Sequence, residues 1–114
     1  VRPGGRLALD HMNRETALHR LRPRDEIRRD GLRILQTREA REGRILKRIE
    51  VFHEETGKVS RVVENVRLYT PAEMQAMFER AGFETPRLYG DYDGAPLAPE
   101  SERMIAVGVR RRGA

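Results

Sequence analysis

A short apolar segment near the start of the sequence is followed at once by a histidine and other polar side chains. Residues 7–9 are Leu, Ala and Leu, a run typical of a strand that is buried on both faces. Asp10, His11 and Asn13 follow it, at the strand end where open α/β sheets bind their ligands. His11, with a reference pKa of about 6.5, could act as the general base that takes a proton from the amine or hydroxyl of an acceptor. The alternative is a histidine that only hydrogen-bonds its own loop.

Four further side chains could bind such an acceptor. Asn13 could contact it directly, although an Asn at the start of a helix more often caps that helix. Arg67 could pair with an acidic group of the acceptor, and Tyr69 could stack on it; a surface ion pair and a half-buried ring are the alternatives. Tyr89 begins the loop Tyr-Gly-Asp-Tyr-Asp-Gly, which offers aromatic surface and carboxylates, and which tight-turn chemistry explains equally well.

The composition limits the classes of protein to which the chain can belong. Its 114 residues allow one domain, and with 38% hydrophobic and 36% charged residues the core must be small. No stretch approaches the roughly 18 apolar residues of a transmembrane helix, and no charged-then-apolar leader is present, so we expect a cytoplasmic protein. The chain has no cysteine, and its three histidines show no spacing such as His-x-x-x-His, so we expect no bound metal.

The chain has a net charge of +5, and its basic residues are almost all arginine. All of the 23 basic residues except Lys47 and Lys58 are Arg, a side chain suited to planar recognition of phosphate or carboxylate. One alternative function is therefore a basic module that binds RNA or DNA through residues 20–48. Asp25 and Glu26 interrupt this basic segment and no nucleic-acid motif accompanies it, so we do not expect a nucleic-acid partner.

The strongest local signal in the sequence is the start of a helix. Thr70 is an N-cap, Pro71 occupies the first helical position, and Glu73 completes a capping box. One apolar face follows at helical spacing, formed by Met74, Met77, Phe78 and Ala81. Gly82 and Phe83 then provide a Schellman ending. The pattern predicts a helix over 71–81.

The remaining elements are predicted from apolar periodicity and turn residues. Asn13 can cap a short helix, Arg14 to Leu21, with Ala17, Leu18 and Leu21 facing inward. Residues 31–69 contain three strand-like runs separated by Glu42-Gly43 and Thr56-Gly57, a pattern that predicts an antiparallel meander. Arg87 to Tyr89 follows Pro86, which suits an edge strand. Met104 to Val109 is apolar on both faces and is predicted to be a central strand.

This layout leaves apolar surface without cover. The strands 7–9 and 104–109 demand cover on both sides, whereas the sequence offers one convincing amphipathic helix. The missing cover must come from a longer parent chain, from a second copy, or from segment 14–29. We therefore expect a homo-oligomer, or a partnership with the N-terminal half of the same fold. A non-catalytic dimerisation domain is a further alternative function.

Four pieces of the sequence, in order, resemble class I S-adenosylmethionine-dependent methyltransferases. Residues 1–7 (VRPGGRL) resemble the family's L-x-P-G-G-x-L entry into its fifth strand. Residues 67–74 (RLYTPAEM), followed by Ala-Gly-Phe at 81–83, are similar to its R-x-Y-T-x-x-E helix with the A-G-F ending. The loop 89–94 and the run from Ser101 resemble its closing hairpin.

The resemblance implies that the chain is the C-terminal, substrate-side half of a methyltransferase. The fold class would be α/β: half of a Rossmann-like sheet with an inserted antiparallel meander, which could look α+β in isolation. The single partial domain would comprise the fifth strand and following helix (1–30), the meander as a lid (31–69), and the last helix and closing hairpin (70–114).

The resemblance also implies a cofactor and a substrate for the parent enzyme. These are S-adenosylmethionine and a small-molecule methyl acceptor. The family's E/D-x-G-x-G-x-G loop and ribose-binding carboxylate are missing from this sequence, and Gly4 and Gly5 precede a strand instead of following one. We therefore expect that these residues alone neither bind the cofactor nor catalyse methyl transfer.

Overall fold

The strands of the chain form two separate antiparallel sheets in the computed structural model, which describes residues 1–113. In chain order the elements are β1 (Arg6–Met12), α1 (Arg14–His19), β2 (Arg24–Arg29), β3 (Leu32–Arg41), β4 (Arg44–His53), β5 (Val59–Arg67), α2 (Pro71–Arg80), β6 (Arg87–Tyr89) and β7 (Arg103–Val109). The chain divides into two units, one made of residues 1–19 with those from 69 onward, and the other of residues 20–68.

The first unit contains a three-stranded sheet in the order β1-β7-β6. β7 pairs antiparallel with both neighbours, with Leu9 opposite Ala106 and Leu88 opposite the same alanine. The predictions of a central final strand and of an edge strand after Pro86 are therefore confirmed. Within the described residues, β7 is the only strand with which β1 pairs, so the other edge of β1 is open.

The two faces of β7 are covered unequally. Met104 and Ala106 are fully buried and belong to the core of this unit, together with Met74 and Phe78 of α2. Gly108 lies on the same face, where a Cβ atom would collide with the Phe78 ring. The opposite face, formed by Ile105, Val107 and Val109, is only half-buried. Helix α2 thus covers one face of the sheet, as the sequence predicts.

Helix α2 starts where the sequence predicts and ends at Arg80, one residue before the predicted Ala81, which is its C-cap. The Thr70 side chain accepts a hydrogen bond from the Glu73 N–H at 3.1 Å, and the Glu73 carboxylate accepts one from the Thr70 N–H at 2.9 Å. The Phe83 N–H donates to the Phe78 carbonyl at 2.9 Å, and Gly82 has a φ of 90°. These contacts make a capping box and a Schellman ending, which fix the helix between Pro71 and Arg80.

Helix α1 is shorter than predicted and buries a different residue. It ends at His19 instead of Leu21, and its buried side chain is Thr16. The prediction that Leu18 faces inward is wrong, since Leu18 is 36% exposed. Thr16 is buried because its hydroxyl donates to the Ser101 carbonyl at 2.6 Å, a long-range contact that helical periodicity does not show.

The second unit is a four-stranded sheet in which β2, β3, β4 and β5 lie in sequence order. It has one strand more than the three predicted, because β2 is too charged to show an apolar pattern. β2 is joined to β3 by a two-residue turn in which Asp30 and Gly31 have φ values of 50° and 77°. Arg38 forms an ion pair with Asp25 at 2.9 Å across this hairpin.

The register of this sheet gives its two faces different compositions, because directly opposed residues share a face. One face, here called the apolar face, carries Ile27, Ile34, Ile45, Ile49, Val51, Val62 and Val66, and also the charged residues Asp25, Arg29, Arg38, Lys47 and Glu64. The other, here called the arginine face, carries Arg24, Arg28, Arg33, Arg41, Arg44, Arg48, Arg61 and Arg67, with Glu26, Glu39 and Glu50. Eight arginines against three glutamates give the arginine face a net charge of +5.

Helix lengths also bear on membrane insertion. Across residues 1–113, neither helix is long and apolar enough to cross a membrane.

Candidate functional site

A cleft of about 440 Å³ opens where β1 ends in the first unit. It is bounded by the start of α1, the start of α2 and the loop before β7. The lining residues are Asn13, Arg14, Glu15, Thr70, Pro71, Leu97, Ala98 and Pro99. The volume falls in the range of small-molecule sites, and the walls from α2 and the loop are largely apolar.

His11 lies on β1 just before this cleft, and the structure brings it to Tyr69. The backbone N–H of Tyr69 donates a hydrogen bond to Nε2 of His11 at 3.1 Å. The two rings are also in contact, with centroids 5.6 Å apart and planes inclined by 52°. Because Nε2 accepts this bond, the neutral imidazole carries its proton on Nδ1.

The surroundings of His11 favour the neutral imidazole. Burial lowers its pKa below 6.5, and the positive charge of Arg103 lowers it further, against a smaller opposing effect of Asp10. A neutral imidazole has a lone pair that can take a proton, but that lone pair is engaged by the Tyr69 amide. The role of His11 as a general base stays a prediction, and it requires the bond from Tyr69 to open.

Asn13 is one of the residues that line the cleft, and it is buried. Its residue surface is 3% exposed, and its Nδ2 group donates to the Ser101 carbonyl at 2.7 Å and to the carbonyls of Ala98 and Pro99 at 3.2 Å. The side chain therefore holds the loop that lines the cleft. Its role as a substrate ligand stays a prediction.

Tyr89 lies on the other side of the sheet from His11. Tyr89 is directly opposite Ile105, whereas His11 is directly opposite Met104, and neighbouring residues of one strand point to opposite faces. The structure therefore does not bring Tyr89 to the pair formed by His11 and Tyr69. It lines a different cleft, of about 420 Å³, together with Arg6, Arg87 and Val107 among others.

Arg67 belongs to the second unit. It is the last residue of β5, it is exposed, and it lies opposite Arg44 on the arginine face. Its proposed pairing with an acidic group of the acceptor stays a prediction.

Sequence reasoning missed a group of three polar side chains on the Tyr89 side of the sheet. Both oxygens of the Asp10 carboxylate are engaged: Oδ2 accepts from the Tyr92 hydroxyl at 2.6 Å, and Oδ1 accepts from Nε of Arg103 at 2.9 Å. The hydrogen bond from Tyr92 lowers the pKa of Asp10, with help from Arg103 and against some desolvation. The same bond raises the pKa of Tyr92.

Only part of this group could be recognised from the sequence. Tyr92 and the residues beside it stand out in the loop 89–94, but Arg103 is 93 positions from Asp10 along the chain. A contact of that separation is fixed by the pairing of β1 with β7 and has no local sequence signature.

Residues 1–113 contain no group of three or more His, Asp or Glu side chains placed to hold a metal ion.

Comparison with solved structures shows which fold these elements share. The methyltransferase CcbJ from Streptomyces caelestis superimposes with a TM-score of 0.75 at 19% identity, over 98% of this chain and 46% of that one. An S-adenosylmethionine-dependent methyltransferase from Clostridium acetobutylicum gives a TM-score of 0.76 at 11% identity, over 97% of this chain and 46% of that one. The sugar N-methyltransferase KedS8 from Streptoalloteichus gives 0.50 at 17% identity, over 98% of this chain and 38% of that one.

These likenesses, at 11 to 19% identity, show a shared fold. The chain spans a little under half the length of the methyltransferases that it matches. The sequence resemblance to the C-terminal half of a methyltransferase is confirmed at this level. No protein-family model matches the sequence, and no curated protein matches it.

Proposed function

We propose that this chain is the acceptor-side, C-terminal part of an S-adenosylmethionine-dependent methyltransferase that methylates a small molecule. The observation that carries the proposal is the fold shared with two methyltransferases, one of them described as S-adenosylmethionine-dependent, over 97 to 98% of this chain. On this account β1, β7 and β6 continue a larger, mostly parallel α/β sheet of the Rossmann-like kind. The open edge of β1 is where its further strands would pair.

The residues present do not fit the cofactor by themselves. Gly4 and Gly5 precede β1, and their amides already donate to the carbonyls of Arg110 and Arg2 at 2.9 Å and 2.8 Å. Cofactor-binding glycines instead follow a strand and leave their amides free. S-adenosylmethionine would therefore be held by the other half of the fold, and the chain alone would be inactive.

The acceptor, on this proposal, binds in the cleft beside β1 and α2. Pro71, Leu97, Ala98 and Pro99 supply apolar surface that excludes water from the acceptor. Glu15 is the one carboxylate in the lining and could hold a positively charged group. His11 would accept a proton at Nε2 once the Tyr69 amide moves away.

We also propose that copies of this chain associate. On the apolar face, Val62 is 51% exposed and Ile27 is 42% exposed, and the Val107 face of the first sheet is only half-buried. Exposed apolar surface and an open strand edge both favour association. This property is separate from methyl transfer.

The functional proposal is tested by filling the cleft in the protein encoded by the whole reading frame. Transfer of labelled methyl groups to a panel of small-molecule amines and alcohols is measured first. Ala98→Trp should then lower kcat/KM for the acceptor about tenfold or more without changing the affinity for S-adenosylmethionine. Ala40→Trp, an exposed position on β3, is the matched control and should change neither quantity. Equal losses in both variants, or no methyl transfer at all, would contradict the proposal.

A further inference from the structure

A second cleft lies in the four-stranded sheet, at the end of β5 opposite to Arg67. Its volume is about 320 Å³, at the small end of the range for ligand sites. The side chains around it are Arg28, Arg33, Phe52, His53, Glu54 and Lys58. Lys58 and Arg67 are separated by the full length of β5, roughly 30 Å at the rise of a strand, so Arg67 is not part of this cleft.

The fold holds two of these cations side by side. Arg28 and Arg33 are directly opposite each other across the β2–β3 hairpin, and like charges in that relationship are destabilising. The two-residue turn at Asp30 and Gly31 fixes the register, so the arginines cannot slip apart. An anion bound between them would offset this repulsion.

One guanidinium of the cleft, and the backbone of its lysine, are held in place by their neighbours. The Arg33 guanidinium lies 4.5 Å from the centroid of the Phe52 ring and 3.4 Å from the Glu26 carboxylate. The backbone of Lys58 is fixed on both sides: its carbonyl accepts from the His53 N–H at 2.9 Å, and its N–H donates to the Thr56 hydroxyl at 3.3 Å. Arg33 and the Lys58 backbone therefore need little rearrangement when a ligand binds.

The balance of charge selects the class of ligand. Arg28 and Lys58 have no carboxylate within ion-pair distance among residues 1–113, and Glu54 is the one carboxylate that lines the cleft. We propose that this cleft binds the phosphate group of a small phosphate ester. A phosphate carries between one and two negative charges near pH 7, and its oxygens accept charge-assisted hydrogen bonds from guanidinium and ammonium groups.

The neighbouring row of the sheet argues against a nucleic acid as the ligand. Glu26, Leu35 and Glu50 lie opposite one another in the row next to Arg28 and Arg33. These carboxylates interrupt the arginine face, whereas a nucleic-acid strand needs a basic track that continues along its phosphates. Glu26 and Glu50 thus lie between the arginines of the cleft and most of the other arginines of this face.

The proposal is tested by titrating the purified chain with inorganic phosphate and with phenyl phosphate at constant ionic strength. Binding is detected through the amide NMR signals of Arg28, Arg33, Gly57 and Lys58. Both probes should give saturable shifts, with the ester binding at least as tightly as inorganic phosphate. The double substitution Arg28→Gln with Lys58→Gln should weaken binding about tenfold or more. Arg48→Gln is on the same face but outside the cleft, and among residues 1–113 Arg48 is also without an ion pair. It should change the affinity less than about twofold.

A second readout separates binding from folding. Without phosphate, Arg28→Gln should melt at the same temperature as the parent or higher, because it removes a like-charge pair. Phosphate should raise the melting temperature of the parent and not that of the double variant. Any one of three results would overturn the proposal. Arg48→Gln could weaken phosphate binding as much as the double substitution does, the NMR shifts could fail to saturate, or inorganic phosphate could bind while the ester does not. A short RNA that binds more tightly than phosphate, and that Arg48→Gln weakens as much as the double substitution does, would also overturn the proposal. That result would assign the whole arginine face to nucleic acid.

Discussion

The amide of Tyr69 is hydrogen-bonded to the imidazole of His11, 58 positions away in the sequence. Tyr69 directly precedes the N-cap residue of α2, and His11 lies near the end of β1. This single bond therefore ties the start of the helix to the end of the strand at which the 440 Å³ cleft opens. It also fixes the tautomer of the one histidine with a proposed catalytic role.

Protonation of His11 should weaken the folded state. Its pKa is lowered by burial and by Arg103, so the unfolded chain takes up this proton before the folded chain does. The contribution of His11 to the free energy of unfolding is therefore complete above a pH of about 6.5 and is lost as the pH falls below that value.

Melting temperatures at a pH of about 7.5 and about 5.5 measure this effect, with His11→Gln as the control. The other two histidines are present in both proteins and cancel in the comparison. The drop in melting temperature on acidification should be smaller in the variant. An equal drop would mean that the His11 pKa is not lowered.

Two substitutions test the packing of α2 and its cap. Thr70→Ala removes the oxygen that accepts the Glu73 N–H and should lower the free energy of unfolding by about 1 kcal/mol. Phe78→Ala removes a ring that is 4% exposed and packs on Phe83 with centroids 5.6 Å apart, and should cost roughly 3–5 kcal/mol. Denaturant unfolding measures both. Equal losses would contradict the account of the core.

The bond between Tyr92 and Asp10 can be tested by its effect on a pKa. Tyr92→Phe removes the hydroxyl that contributes most to the lowering of the Asp10 pKa, so that pKa should rise toward its ordinary value. Arg103 keeps its own bond to Asp10 and should prevent a complete return. An NMR titration of the Asp10 carboxyl measures the change, and Tyr89→Phe is a matched control that should leave it unaltered.

The predictability of each element follows the range of its interactions. Helix α2 was predicted with both ends because Thr70, Glu73 and Gly82 form its caps within a few residues. Strand β2 was missed because its stability comes from pairing with β3. Contacts such as the ion pair between Asp25 and Arg38 cannot be recognised from a segment in which most residues are charged.

The candidate site shows the same limit. The end of β1 beside the cleft was predicted, since an apolar run followed by polar residues is a local pattern. The expected burial of that run on both faces is wrong, because Leu7 is 36% and Leu9 41% exposed, and the role of His11 stays a prediction. The partner of His11 and the network of Asp10 with Arg103 were not predicted, because both depend on strand and helix packing across most of the chain. The burial of Thr16 in place of Leu18 has the same origin.

Association of the purified chain should be visible at micromolar concentration. Exposed apolar side chains on β5 and the open edge of β1 favour a dimer or a larger oligomer. Val62→Lys places a charge on the apolar face and should shift the equilibrium toward monomer, whereas Glu54→Lys, an exposed turn position, should not. Sedimentation velocity distinguishes these states. A 13.2 kDa monomer for the unmodified chain would contradict the expectation.

The most direct test of the central claim is calorimetric titration of the demethylated cofactor, S-adenosylhomocysteine, into two proteins. One is this chain and the other is the protein encoded by the whole reading frame. If the chain is the acceptor-side part of a methyltransferase, the longer protein should bind with micromolar affinity and the chain alone should show no binding in that range. Micromolar binding by the chain alone, or none by the longer protein, would contradict the account.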